Sequence, residues 1–250
     1  MATNIIGDTE WNGLPMPRRL GAIVAVAFGV SLSVIDSVIA NVALPTLAAE
    51  FGTSSANSVW IVNAYQLALI TTLLIFSNLG DILGYRRIYI SGLVLFTVAS
   101  AGCALSTTFA SLIAWRAVQG IGAAAITSVN TTLIRIIYPR RMLARGMGIN
   151  ATVVAVSSVA GPSVAAAILS VTTWHWLFAV NLPVGLIAFT LSSRFLPQNP
   201  VKVEGRRFDW RSGVMCALTF GLVMACVEGY SHGMSLHVWF VLAVVAAVVA

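Results

Sequence analysis

Charge is what this chain has least of. Of its 250 residues, 14 are Lys or Arg and 8 are Asp or Glu, so 9% are charged while 58% are hydrophobic. A soluble domain carries about 25% charged residues, so this composition excludes a water-soluble globular protein. Cysteine is also scarce. Cys103, Cys216 and Cys226 all fall inside apolar segments. Their odd number and their spacing suit neither zinc nor a disulfide framework, and they read as small apolar fillers. The three histidines, His175, His232 and His237, lie near the ends of apolar segments and share no helix face at ligand spacing. There is no nucleophile–base set, metal-ligand cluster or phosphate-cradling glycine loop after a strand. An enzyme is not expected, and neither is a cofactor or a metal.

Long apolar runs are what the sequence has instead. Leu20–Pro45 reads LGAIVAVAFGVSLSVIDSVIANVALP. At about 1.5 Å of rise per residue it covers more than the ~30 Å of a bilayer's hydrocarbon core. Asp36 interrupts it. A carboxylate within a membrane helix costs about 2.5–3.5 kcal/mol on insertion scales, so Asp36 implies a polar cavity, a partner or a proton path. Seven segments are long enough to span, and an eighth is cut short. They are about Leu20–Leu44, Val59–Leu79, Ile88–Leu105, Ser111–Ile134, Met147–Val171, Leu177–Phe195, Gly213–Val227 and His237–Ala250. No β-barrel alternation is visible, so the fold class is an all-α polytopic transmembrane bundle, whose helices satisfy their own backbone.

The basic residues set the topology. Arg18 and Arg19 precede the first span. Arg86 and Arg87 lie between the second and third, and Arg135, Arg140, Arg141 and Arg145 between the fourth and fifth. Arg194, Lys202, Arg206, Arg207 and Arg211 lie at or beyond the end of the sixth. The opposite loops, Pro45–Ser58, Ser106–Ala110, Thr172–Trp176 and Gly229–Leu236, have none. By the positive-inside rule the N-terminus is cytoplasmic, and the excess positive charge points to lipid headgroups and not to nucleic acid. A plasma membrane location is expected, the inner membrane in a bacterium.

The resulting division is a cytoplasmic tail over 1–19, a six-helix bundle over 20–195 and a cytoplasmic linker over 196–212. A further helix and a truncated second occupy 213–250. The tail's Arg18-Arg19 resembles a signal peptide's basic start, but the following run is too long and lacks a small-residue cleavage site before Asp36. The last span stops at Ala250 without an interfacial anchor, so a longer protein is expected.

Several motifs carry possible chemistry. Ser77–Arg87 reads SNLGDILGYRR, where Gly80 and Gly84 allow a tight cytoplasmic turn. Asp81 can pair with Arg86 or Arg87, or the loop only fixes topology. Arg116 sits about 7 Å from the outer surface and Asp36 about 13 Å at ~1.5 Å per residue, so the two can pair. Alternatively, Arg116 snorkels to that surface. Ser157, Gly161 and Ala165 form one small-residue face, and Pro162 frees a carbonyl and can bend the helix. That face is either simple packing or a hinge where two helices meet. Trp174 and Trp176 suit an outer interfacial belt, and Asn181 with Pro183 suggests a locally polar turn. In the second span Tyr65 and Gln66 are cavity candidates, with Trp60 as readily an interface anchor.

In this order the motifs resemble the major facilitator superfamily, and within it the 14-span drug:proton antiporter branch. VIDSVIANVALP, Val34–Pro45, is similar to that branch's first-span motif, with Asp36 at its acidic position. Asp81, Gly84 and Arg86 match the loop signature, while Arg116, Gln119 and Gly120 match the fourth-span motif. Gly161-Pro162 matches the core of the antiporter motif. The departures are Ser77 for a glycine, Ile82 for arginine and Tyr85 for a basic residue in the loop, which weakens the expected charge network. Ser157, Ala165 and Ala166 stand for glycines in the fifth span.

The resemblance implies a first bundle of inverted three-helix repeats, which the sequence itself does not display. It also implies two extra helices after Pro197 and a second bundle beyond this chain. It assigns proton coupling to Asp36 and Arg116 and a substrate cavity to Asp36, Asn41, Tyr65 and Gln66. The gate loop would be Asp81, Gly84, Arg86 and Arg87, and the hinge Gly161 and Pro162. The expected activity is proton-coupled export of amphipathic or cationic drugs. Partners are a small-molecule substrate, protons and membrane lipids, with no nucleic acid and a monomeric protein. Export of a native metabolite, or a non-transporting scaffold or sensor, are the alternatives.

Overall fold

The computed structural model describes residues 13–198 and 215. Six helices among the described residues are long and apolar enough to cross a membrane. The expected spans over 213–250, with Cys216, Cys226, His232 and His237, and the linker beyond residue 198 lie outside the described residues.

Helix α1 runs over Met16–Glu50, 35 residues, with Pro45 inside it. The sequence reading ends this span at about Leu44, just before Pro45. Pro45 is exposed, and its ring removes one backbone bond in the last turns, so the helix continues to Glu50. Gly52, at φ +59°, turns the chain. Helix α2, Ser55–Ser58, is capped by the Ser54 hydroxyl, which accepts from Asn57 N at 3.2 Å. Helix α3 is Trp60–Leu83.

Gly84 joins α3 to α4, Tyr85–Ala104, at φ +100°, a backbone conformation that only glycine adopts cheaply. Thr108 caps α5, Phe109–Ile137, by accepting from Ser111 N at 3.2 Å. A 3-10 turn at Arg140–Met142 leads into α6, Leu143–Val171. Helices α7, His175–Ala179, and α8, Asn181–Phe195, meet at Val180 and together make the sixth crossing. Helices α4, α5 and α6 begin earlier than their apolar runs, because the helical backbone continues through the flanking polar turns, Arg86 and Arg87 among them.

Packing brings out the symmetry that the sequence hides. Helix α1 lies against α6 and α8, while α5 lies against α3 and α4. The first long helix of each three-crossing set therefore packs on the second and third of the other, and α1 meets α5 between them. Small residues set these distances, as membrane helices require. A Cβ at Gly122 would sit 2.7 Å from Phe96 N, and one at Gly120 2.3 Å from Tyr65 O.

Trp174 departs from the expected interfacial belt. It is 3% exposed and packs on Phe51 at 5.5 Å between ring centroids, whereas Trp176 is 58% exposed. The chain's bend between α6 and α7 turns Trp174 inward onto the apolar cluster of Leu47, Leu112 and Phe178.

Candidate functional site

Asp36 lies in the interior of the bundle and is fully buried, as is Arg116. Their side chains form an ion pair, Arg116 Nη1 to Asp36 Oδ2, at 2.6 Å. The other carboxylate oxygen accepts two amides: Gln119 Nε2 at 2.8 Å and Asn181 Nδ2 at 2.6 Å. Four crossings meet here. Asp36 comes from α1, Arg116 and Gln119 from one face of α5 at spacing i, i+3, and Asn181 from the first turn of α8. Ser100 on α4 accepts from Gln119 Nε2 at 2.8 Å.

Arg116 is held on all sides but one. Its Nη1 also donates to Gln119 Oε1 at 2.7 Å, and its Nε donates to the Ile61 carbonyl at 3.2 Å. The guanidinium carbon lies 4.3 Å from the Tyr65 ring centroid and 5.7 Å from that of Phe178, within cation–π range. Nη2 is buried and has no hydrogen-bond partner among the described residues. A pair so deeply desolvated contributes little net stability, yet removing one partner costs about 3–5 kcal/mol because the other charge is stranded. Chemically, the site can exchange a neutral acid for a carboxylate only by breaking the Arg116 contact or admitting water.

The structure brings together Asp36, Arg116 and Tyr65. Tyr65 is 1% exposed and lies beneath the guanidinium, with its hydroxyl 3.4 Å from the Ser33 carbonyl it donates to. Gln66 is half-buried and outside the cluster. Asn41 is exposed, and its Nδ2 donates to the Ser37 carbonyl of its own helix at 2.9 Å.

The sequence reading left out Asn181, Gln119 and Ser100 as site residues. Asn181 had a signal, an amide inside an apolar span, and Gln119 stands three residues after Arg116. Ser100 had none, since helical serines usually bond their own backbone, as its hydroxyl does to the Phe96 carbonyl at 2.9 Å. Cys103 is not merely a filler. It is buried beside the cluster, with Sγ donating to Gln119 Oε1 at 3.6 Å.

At the other end of α3, Asp81 accepts from the Tyr85 hydroxyl at 2.6 Å. The phenol thus stands where a basic residue was expected and still gives Asp81 a donor. Arg86 Nη2 donates to the Ser193 carbonyl near the end of α8, and Arg87 is exposed. On α6, Ser157, Gly161 and Ala165 form the buried face. Ser157 donates to Ser31 at 3.0 Å, and a Cβ at Gly161 would sit 2.7 Å from Val38 Cγ1. Pro162 is exposed within this single helix. Asn130 on α5 and Asn150 on α6 make a second interhelical bond at 3.1 Å.

Comparison with known proteins gives this arrangement a context. The profile of the Major Facilitator Superfamily matches residues 26–250. The chain is similar to the uncharacterized transporter YebQ of Escherichia coli (strain K12), 54% identical over 90% of this chain and 49% of that protein. It is similar to the riboflavin transporter RibZ of Clostridioides difficile (strain 630), 31% identical over 78% of this chain and 42% of that protein. It is also similar to the putative multidrug resistance protein MdtD of Salmonella typhi, 30% identical over 86% of this chain and 45% of that protein. The chain thus spans about half the length of these relatives or less. With six apolar crossings and a profile match over most of its length, the chain belongs to the Major Facilitator Superfamily.

Proposed function

We propose that this chain forms the first half-bundle of a proton-coupled antiporter that exports amphipathic, cationic compounds. The observation that carries the reading is the buried Asp36–Arg116 pair, held by Gln119 and Asn181 where four crossings converge. A proton arriving on Asp36 Oδ2 displaces Arg116 Nη1. The guanidinium then keeps Gln119 Oε1, the Ile61 carbonyl and the faces of Tyr65 and Phe178. A second charge arrangement is therefore available without moving the cation into lipid. Opening the bundle to one side or the other changes the water around Asp36 and links proton binding to substrate release.

The rest of the reading follows the charge pattern and the relatives. The N-terminus and the 196–212 linker are cytoplasmic, with the 20–195 bundle in the plasma membrane and the protein working as a monomer. MdtD's name favours drug export, and RibZ's favours a second reading, transport of a native metabolite. Substrate-induced proton release from the reconstituted full-length protein is the test, with Asp36→Asn as control. Release is expected from wild type and absent from the variant; equal release from both overturns the role of Asp36. A screen across compound classes separates drugs from metabolites.

A further inference from the structure

Helices α6 and α8 both lie on α1 and make little contact with each other. Between them is an open-sided groove of about 400 Å³, walled by Phe28, Ile35, Val153, Val164, Asn181 and Val184. Ligand pockets for drug-sized molecules run to about 300–1,000 Å³. The helices flanking it expose Val156, Val159, Leu186 and Ile187, a surface suited to hydrocarbon and not to water. The wall is apolar apart from Ser31, whose hydroxyl accepts from Ser157 of α6 at 3.0 Å, and Asn181. Asn181 lines the groove and also donates its Nδ2 to Asp36 at 2.6 Å, which leaves Oδ1 as the acceptor available to an occupant.

A matching groove lies on the other side of the exchange. It has about 500 Å³ and is walled by Phe76 of α3, Leu95 and Val98 of α4, and Ala125 of α5. Its polar side chain, Ser91, donates to its own helix at the Ile88 carbonyl, 3.0 Å away, and makes no link to the Asp36 cluster. Two grooves of similar size thus differ in one respect: only the α1/α6/α8 groove has a wall residue bonded to the buried carboxylate. Incidental gaps filled by acyl chains would not call for that difference.

We infer that the α1/α6/α8 groove binds the apolar body of an amphipathic substrate from the membrane, with a hydrogen-bond donor of its head on Asn181. The site lies within one half-bundle. It rests on the antiport reading for the class of substrate, and it adds a route by which occupancy reaches Asp36 through a single amide. The occupant draws on Asn181 Oδ1, turns the amide, and loosens one of the two amide donors on the carboxylate.

The experiment uses the full-length protein in lipid nanodiscs, with rhodamine 6G, a lipophilic cation with N–H donors, read by fluorescence anisotropy. Val184→Trp fills the groove from α8 and is expected to weaken Kd about tenfold or more. Val153→Phe fills it less, from α6, and is expected to weaken Kd about threefold. Leu95→Trp fills the opposite groove and is expected to leave Kd within about twofold, which controls for the effect of crowding a helix. Monodisperse elution and a thermal midpoint close to that of wild type show that each variant is folded. An unchanged Kd in both groove-filled variants, the result if the groove holds only acyl chains, overturns the inference. So does an equal loss in Leu95→Trp. Proton release by wild type alongside an unchanged Kd overturns the groove and leaves the antiport reading standing; no rhodamine 6G binding by wild type overturns the groove and the drug specificity together.

Discussion

Asn181 Nδ2 and Gln119 Nε2 converge on one oxygen of Asp36, at 2.6 Å and 2.8 Å, while Arg116 takes the other. The carboxylate is thereby tied to α5 and α8 at once. Asn181→Leu keeps the branched heavy-atom shape and removes the donor. A hydrogen bond to a charged group contributes about 1.5–3 kcal/mol, so the thermal midpoint of the full-length protein should fall measurably. Proton release per substrate should fall as well. Asn181→Gln, longer by one methylene, should restore part of both; no drop in either quantity for Asn181→Leu would reduce the residue to packing.

The ion pair predicts a non-additive pattern. Arg116→Gln leaves Asp36 buried without its cation, and Asp36→Asn leaves Arg116 without its anion. Each should destabilise by about 3–5 kcal/mol. The double variant strands neither charge, so its loss should fall well short of the two singles combined. Denaturant midpoints of the four proteins measure this. An additive cycle would show that the two side chains do not interact in the folded protein.

Much of this was legible in the sequence, and the reasons for success and failure are specific. The six crossings were visible because hydrocarbon demands long apolar helices, and Asp36 and Arg116 stood out as charges inside them. Helix ends were misjudged at Arg86 and Arg145, because hydropathy records where charge begins and not where the backbone stops being helical, and at Pro45, which lies within the last turns of α1. Asn181 and Ser100 were missed as site residues for another reason. Their role depends on α4 and α8 meeting at α1, a long-range contact with no local period. Trp174 was misplaced by composition: tryptophan favours interfaces on average, but Phe51 and Phe178 enclose this one.

Tyr85 offers a test at the joint between α3 and α4. Its hydroxyl donates to Asp81 at 2.6 Å, four residues back across the Gly84 turn. Tyr85→Phe removes that donor and should lower transport rate more than binding affinity, because the bond spans the joint between α3 and α4 and not the buried cluster. Tyr85→Arg supplies a charged donor at the same place and should restore the rate. Initial rates and substrate Kd, measured on the same preparations, separate the two effects. A Tyr85→Phe variant with wild-type rate would leave the phenol no part in the gate.

The contact of α3 with α5 gives the sharpest packing prediction. A Cβ at Gly120 would lie 2.3 Å from the Tyr65 carbonyl oxygen and 3.0 Å from Ala68 Cβ. The first of these is backbone, so it cannot rotate away, and the helices must separate. Tyr65 also carries the ring under Arg116, so separation disturbs the ion pair as well. Gly120→Ala should therefore destabilise by more than the ordinary cost of overpacking, about 1–3 kcal/mol. Gly148 on α6 is the matched control. A Cβ there meets nothing within 4 Å, and alanine is the better helix former by about 1 kcal/mol. Gly148→Ala should be neutral or stabilising. Thermal midpoints of the two variants in one detergent decide the matter: if both move alike, the effect is helix propensity, and the close approach of α3 to α5 does not constrain residue 120.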